Sequence, residues 1–274
     1  MPINSAQMRN MIWSLTACVR PISSLVVGVL TFAIYCSGTR GDVTSSISAG
    51  AAFCFVAMAG FVMNDIYDEE KDRFARVARP IAVGSVSIQA AKFLAVVLWI
   101  AAYSVGPKSS TSALVILSST LIALLLYSPF ARRFPIVKGV YTACLCCTPV
   151  LYAATAAGIA IPLRFYVVLC IFVLGRETYM DAIEMAGDDA AGLRTIAVVL
   201  GYGTAKIIAG VLLILSSIAL VYLARTPIGL FMSGIGGIIT LTALMAPSVS
   251  ATTRVSVLRI PMLLGSIAIA VSVS

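Results

Sequence analysis

Apolar runs of about 17 to 25 residues recur along the whole chain, each long enough to cross a bilayer core as a helix. Nine can be marked, at roughly 14–37, 46–64, 87–107, 111–128, 136–158, 162–180, 203–224, 227–246 and 254–273. Inside lipid the backbone must satisfy its own hydrogen bonds, and runs of this length do so as helices. The predicted fold class is therefore an all-α polytopic membrane protein with nine transmembrane helices. The gaps leave no room for a separate soluble unit, so residues 1–274 read as a single transmembrane domain. Charged residues make up only 11% of the chain, against about 25% in soluble domains. The opening "MPINSAQMRNMIWS" is too polar for a cleavable signal, and the run behind it is long enough to stay as a span.

Basic residues orient the bundle. With nine spans and the N-terminus inside, the cytoplasmic side holds fifteen, including Arg9, Arg20, Lys71, Arg76, Arg79, Arg132, Arg133, Lys138, Arg194 and Arg259. The opposite side holds Arg40, Lys108, Arg164 and Arg225. That asymmetry places the N-terminus in the cytoplasm and the C-terminus on the other side. The net charge of +8 then reflects topology and attraction to anionic headgroups or an anionic substrate, rather than nucleic acid.

Some chemistry is excluded outright. The chain has no histidine, so Ser–His–Asp and Cys–His catalysis, metalloprotease helices and histidine-ligated haem all fall away. Seven cysteines lie inside the runs. An odd number of intramembrane thiols does not make a disulfide framework, and "CLCC" at 144–147 reads as small-residue packing.

The acids carry the functional signal. Ten of eleven fall in two clusters, Asp65, Asp68, Glu69, Glu70 and Asp72, then Glu177, Asp181, Glu184, Asp188 and Asp189. On a helix, residues three, four and seven apart share a face. Asn64, Asp68 and Asp72 keep that spacing, as do Glu177, Asp181, Glu184 and Asp188. Each cluster thus lays a stripe of carboxylates along the cytoplasmic end of a span. Like charges on one face repel and are costly near hydrocarbon, so cations must offset them. Hard oxygen donors facing one another suit magnesium, which shares its shell with substrate phosphates. Basic partners for phosphate lie on the same predicted side: Arg79, then Arg132, Arg133 and Lys138 in "YSPFARRFPIVKGV" beside Tyr127, then Arg194.

These blocks resemble the UbiA superfamily of intramembrane prenyltransferases. "NDIYDEEKDR" matches its N-D-x-x-D-x-x-x-D signature, and "RETYMDAIEMAGDDAAGLRTIAVVLG" is similar to its second aspartate motif. "RP" at 20–21, "RPIAVG" at 79–84 and "YSPFARRFPIVKG" at 127–139 resemble further family blocks. The resemblance implies a ring of helices around a central cavity with a cytoplasmic cap. It also implies magnesium-dependent transfer of an isoprenoid chain from its diphosphate to an acceptor. Asn64, Asp68 and Asp72 would hold one ion against the diphosphate, and Asp181, Glu184 and Asp188 a second. Tyr67, Tyr127, Arg79, Arg132, Arg133, Lys138 and Arg194 would position or neutralise the diphosphate. Four positions depart from the pattern: Met180 stands for a frequent lysine, Glu184 for aspartate, Ala186 for glutamate and Gly139 for asparagine.

Two products follow from the same ionisation. With a small aromatic, a quinone precursor or a lipid-type alcohol in place, the allylic cation alkylates it. Without one, the chain's own double bond closes on the cation, as in terpene cyclases of the superfamily. A transporter would carry its acids near the bilayer midplane, whereas both clusters here stand at span ends.

Overall fold

The computed structural model describes residues 5–74, 79–106, 110–245 and 250–273. Arg76 and Lys108, counted in the charge asymmetry, lie outside them. Among the described residues the regular structure is helical throughout. In chain order the α-helices are α1 (Ser5–Cys18), α2 (Pro21–Gly38), α3 (Val43–Tyr67), α4 (Glu69–Phe74), α5 (Ile88–Val105), α6 (Thr111–Arg133) and α7 (Lys138–Ala157). They continue as α8 (Leu163–Ala190), α9 (Ile196–Leu200), α10 (Tyr202–Leu223), α11 (Pro227–Met245), α12 (Ala251–Val257) and α13 (Arg259–Val273). One 3-10 turn, Pro135–Val137, leads into α7.

Among the described residues, eight helices are long and apolar enough to cross a membrane. The expected span outside that set is the sixth, 162–180, which is α8; its 28 residues would reach about 42 Å at 1.5 Å per residue. Its second half carries the acids, which keeps it out of the apolar set.

The first expected span, 14–37, is in fact broken. α1 ends at Cys18 and α2 begins at Pro21, with Arg20 between them in the left-handed region at φ 45°. The proline ring disfavours a helical residue before it, so the apolar run changes direction where the sequence pattern alone reads straight through. Elsewhere the boundaries hold to within a few residues, except that α6 and α8 run past their apolar segments at the ends that carry charge and the run 254–273 is interrupted at Leu258, between α12 and α13.

The long helices pack as a closed circuit. α2 lies on α3, α3 on α6, α6 on α7, α7 on α8, α8 on α10, α10 on α11, α11 on α13, and α13 back on α2, with α5 against α3. Small residues set the closest crossing. A Cβ added at Gly50 would stand 2.8 Å from the carbonyl oxygen of Gly28, and one at Gly28 would stand 3.0 Å from that of Gly50. Between helices in lipid, such close backbone approach replaces the hydrophobic drive that water would supply. At the start of α3 the Asp42 side chain caps the helix by accepting from the Ser45 N–H at 3.1 Å. That bond holds its carboxyl below the usual carboxylate range.

α2 also reaches across to α7. The largest apolar cluster fills the interior there, with Leu30, Ile34, Phe53, Leu117, Tyr152 and Val173 nearly or fully buried. Phe53 and Tyr152 pack ring on ring, with centroids 4.7 Å apart. A hollow of about 490 Å³ lies along α5 at Val96, Trp99, Ile100, Tyr103 and Ser104. A second, of about 30 Å³, lies between α8, α10, α11 and α13. Neither is lined by the acidic residues, so neither is the chamber expected beneath them.

Candidate active site

The C-terminal end of α3 builds the first half of the site. The Asp68 N–H donates to the Asn64 carbonyl at 2.9 Å and the Asp72 N–H to the Asp68 carbonyl at 2.8 Å. Helical register is thereby carried across the α3–α4 junction, and the stripe survives the bend. Asp65 is 2% exposed and sits at the hub. Its Oδ1 accepts from Arg20 Nη2 at 2.5 Å and from Arg79 Nη1 at 2.9 Å. Arg79 also places Nε 3.3 Å from Asp72 Oδ2, so one guanidinium spans two acids of the stripe.

Local structure explains both arginines. Arg79 opens a turn whose Ile81 and Val86 are buried against Val62, Ala91 and Leu98, which pins the guanidinium over α3. Arg20 takes a backbone conformation that costs about 1–2 kcal/mol for a non-glycine residue. In return it reaches a buried carboxylate and lies over the Phe61 ring at 4.8 Å. Breaking a buried pair costs about 3–5 kcal/mol, so the strain is outweighed. On the opposite flank, Asn64 Oδ1 accepts from Ser128 Oγ at 3.5 Å. Asp68 faces Arg132 at 4.0 Å, and Arg132 also donates to the Tyr67 carbonyl.

The second half is built by α7 and α8. Lys138 opens α7, where a positive charge opposes the helix dipole by about 0.3–1 kcal/mol. Two carboxylates offset this: Lys138 Nζ lies 2.7 Å from Asp181 Oδ1 and 3.7 Å from Asp188 Oδ2. Asp181 and Asp188 are buried, at 3% and 0% exposure. Gly139 lies close on α8: a Cβ there would stand 3.2 Å from Leu174 Cδ1 and 3.5 Å from Glu177 Cβ, so a larger residue would make Leu174 give way.

Tyr127 ties α6 to α7. Its hydroxyl accepts from Thr142 Oγ1 of α7 at 3.4 Å. It lies within electrostatic reach of Glu177, Lys138 and Asp68. Its ring packs on Tyr141, with centroids 5.7 Å apart.

Other expected residues stand apart. Glu184 keeps the helical spacing but is exposed, and it makes no ion pair among the described residues. Arg133 and Arg194 are exposed as well, and neither pairs with an acid among the described residues. The Tyr67 ring is 39% exposed; only its carbonyl takes part. Two residues left out of the expected set prove central, Asp65 and Arg20. The signal for them was the acid beside Asn64 and the arginine before Pro21. Met180 packs with Tyr179, Ala209 and Val255, so the missing lysine is replaced by apolar contact.

Asn64, Asp68, Asp72, Asp181 and Asp188 offer only hard oxygen donors, the set that fits magnesium. As placed, no three acids among the described residues form a group that could hold one ion. Arg79, Arg132 and Lys138 hold their oxygens instead.

A profile of the UbiA prenyltransferase family matches residues 25–263. The chain belongs to that family. Digeranylgeranylglyceryl phosphate synthase of Halobacterium salinarum is 31% identical over 205 residues, covering 73% of this chain and 74% of its own. The synthase of the same name from Hyperthermus butylicus is 33% identical over 212 residues, covering 71% and 70%. Among solved structures, a UbiA homologue from Aeropyrum pernix K1 superposes with TM-score 0.74 at 21% identity, over 88% of this chain and 96% of that one. A UbiA homologue from Archaeoglobus fulgidus, bound to GPP and Mg2+, superposes with TM-score 0.68 at 17% identity, over 95% and 99%. The fold is therefore that of the UbiA prenyltransferases, and the paired acidic stripes occupy one end of its bundle.

Proposed function

We propose that this chain transfers a prenyl group from an allylic isoprenyl diphosphate to the hydroxyl of a prenylated glyceryl phosphate, with two magnesium ions and release of diphosphate. The acceptor follows from the synthases to which the chain is 31% and 33% identical. The observation that carries the reading is Lys138 held between Asp181 and Asp188, on α7 packed against α6, whose Arg132 faces Asp68. Acids far apart in sequence at the same end of a lipid-embedded bundle support it. On this reading the nine helices form a single domain with the N-terminus in the cytoplasm, and the reaction takes place at the cytoplasmic face.

The barrier is charge separation as the C1–oxygen bond breaks and both electrons leave with diphosphate. Bound magnesium would neutralise that departing anion, held by Asn64, Asp68 and Asp72 on one side and Asp181 and Asp188 on the other. Arg79, Arg132 and Lys138 already sit on these carboxylates and turn to the phosphate oxygens as preorganised positive charge. The acceptor oxygen then bonds to C1, and its proton leaves with the diphosphate.

The test is purified protein with geranylgeranyl diphosphate, magnesium, and geranylgeranylglyceryl phosphate or no acceptor. The expected product is the diether phosphate, lost in EDTA and restored by magnesium. A cyclic hydrocarbon released without acceptor would replace this reading with terpene cyclisation.

A further inference from the structure

Beyond the residues that face the diphosphate, three arginines stand on three helices that pack together, with Phe172, one turn before Arg176, and Met262, one turn after Arg259, in the same apolar cluster. Arg20 stands at the start of α2, Arg176 lies on α8 just before the second acidic stripe, and Arg259 opens α13. α13 packs on both α2 and α8, and Arg259 lies in the electrostatic field of Arg176 and Arg20 together. Two of the three have acids: Arg20 pairs with Asp65 at 2.5 Å, an acid it shares with Arg79, and Arg176 pairs with Glu177 at 2.6 Å. Arg259 is half-buried and pairs with no acid among the described residues. The Nε of Arg176 is buried without a hydrogen-bond acceptor.

Like charges gathered in a partly dehydrated place raise the energy of the protein unless an anion joins them. Guanidinium forks match phosphate oxygens two at a time, and a buried N–H without an acceptor is a donor still to be used. Placement separates this cluster from the leaving-group machinery. Lys138 and Arg132 come from α7 and α6, and α13 has no substantial packing with either helix. Arg20 touches the acids through Asp65 and Arg176 through Glu177.

We infer that Arg20, Arg176 and Arg259 form the subsite for the acceptor's own phosphate, distinct from the site of the departing diphosphate. This rests on the transfer reading above. An acceptor anchored there has its phosphate between α2, α8 and α13. Its free hydroxyl, a few bonds away, turns toward the stripes, and its hydrocarbon runs down beside α2 and α13 into lipid.

The experiment uses the full chain in nanodiscs, as wild type, Arg259→Gln, Arg259→Lys and Arg176→Gln. Steady-state transfer is measured with each substrate varied in turn. Equilibrium binding of labelled geranylgeranylglyceryl phosphate is measured separately, in EDTA without donor. Arg259→Gln is expected to raise the acceptor KM at least tenfold and the donor KM less than twofold. The lipid Kd in EDTA should rise by the same factor, with Arg259→Lys recovering part of it and Arg176→Gln behaving like Arg259→Gln. An unchanged acceptor KM and Kd in both glutamine variants overturns the subsite. So does equal use of an acceptor lacking the phosphate, although transfer itself would then stand. Wild-type binding in EDTA that depends on Arg259, without any transfer, keeps the subsite and overturns the transfer reading.

Discussion

The two acidic stripes are alike in the sequence and unlike in the structure. On α3 the carboxylates are caged by guanidinium groups: Asp65 takes Arg20 and Arg79, Asp72 takes Arg79, and Asp68 faces Arg132. On α8 a single ammonium, Lys138, serves Asp181 and Asp188 together. A planar fork fixes the direction of the carboxylate it grips, whereas an ammonium is a point charge that can turn between partners. The α3 half is thus the more rigid scaffold, and the α8 half is the side where charge can be handed to a substrate with the least rearrangement.

The largest expected effects test what the halves share. Asp68→Ala and Asp188→Ala should each lower diphosphate release by about 10³-fold or more, since each removes an oxygen donor from the proposed metal site. Intact thermal unfolding in detergent would show that the fold persists. Retained turnover in either variant would mean that its half does not hold metal.

Asp65→Asn separates scaffold from chemistry. It strips a buried carboxylate from two arginines and should cost about 3–5 kcal/mol of stability, read as a lowered midpoint of thermal unfolding. A normal midpoint with lost turnover would move Asp65 from scaffold to reacting group.

Exchanging the two kinds of cation sharpens the contrast. Lys138→Arg should lower kcat about tenfold, because a longer fork cannot sit between Asp181 and Asp188 where Gly139 of α7 lies close on α8. Arg79→Lys should instead cost about 1–2 kcal/mol of stability, since one ammonium cannot span Asp65 and Asp72. If both substitutions acted alike on turnover and midpoint, the distinction between the halves would fail.

The smallest expected effect is at Glu184. It stands in the open without an ion pair among the described residues, so Glu184→Gln should leave kcat within about twofold. A larger loss, measured at limiting magnesium, would restore it to the metal site.

Much of this was legible beforehand because lipid leaves a chain few choices. Length and apolarity marked nearly every long helix, and the 3.6-residue repeat aligned Asp68 with Asp72 and Asp181 with Asp188. The same repeat also put Glu184 in line, but periodicity says which face a residue shares and not whether a neighbouring helix covers it, and Glu184 stands exposed. Arg133 and Arg194 are exposed for a related reason. Sequence proximity to an acidic motif does not say which way a long side chain reaches, and both remain in the open.

The sequence alone determined that the chain is a helical membrane protein with two concentrations of acid at helix ends, because hydropathy and helical repeat are local properties. Only the tertiary structure decided that α7 sets Lys138 between Asp181 and Asp188, that Arg20 turns left-handed to reach Asp65, and that α13 brings Arg259 within the electrostatic reach of Arg176. Those pairings join residues 43 to 83 positions apart, and their geometry depends on how closely helices approach at residues such as Gly28 and Gly50. Such contacts arise from packing between helices, and no repeat within a single helix encodes them.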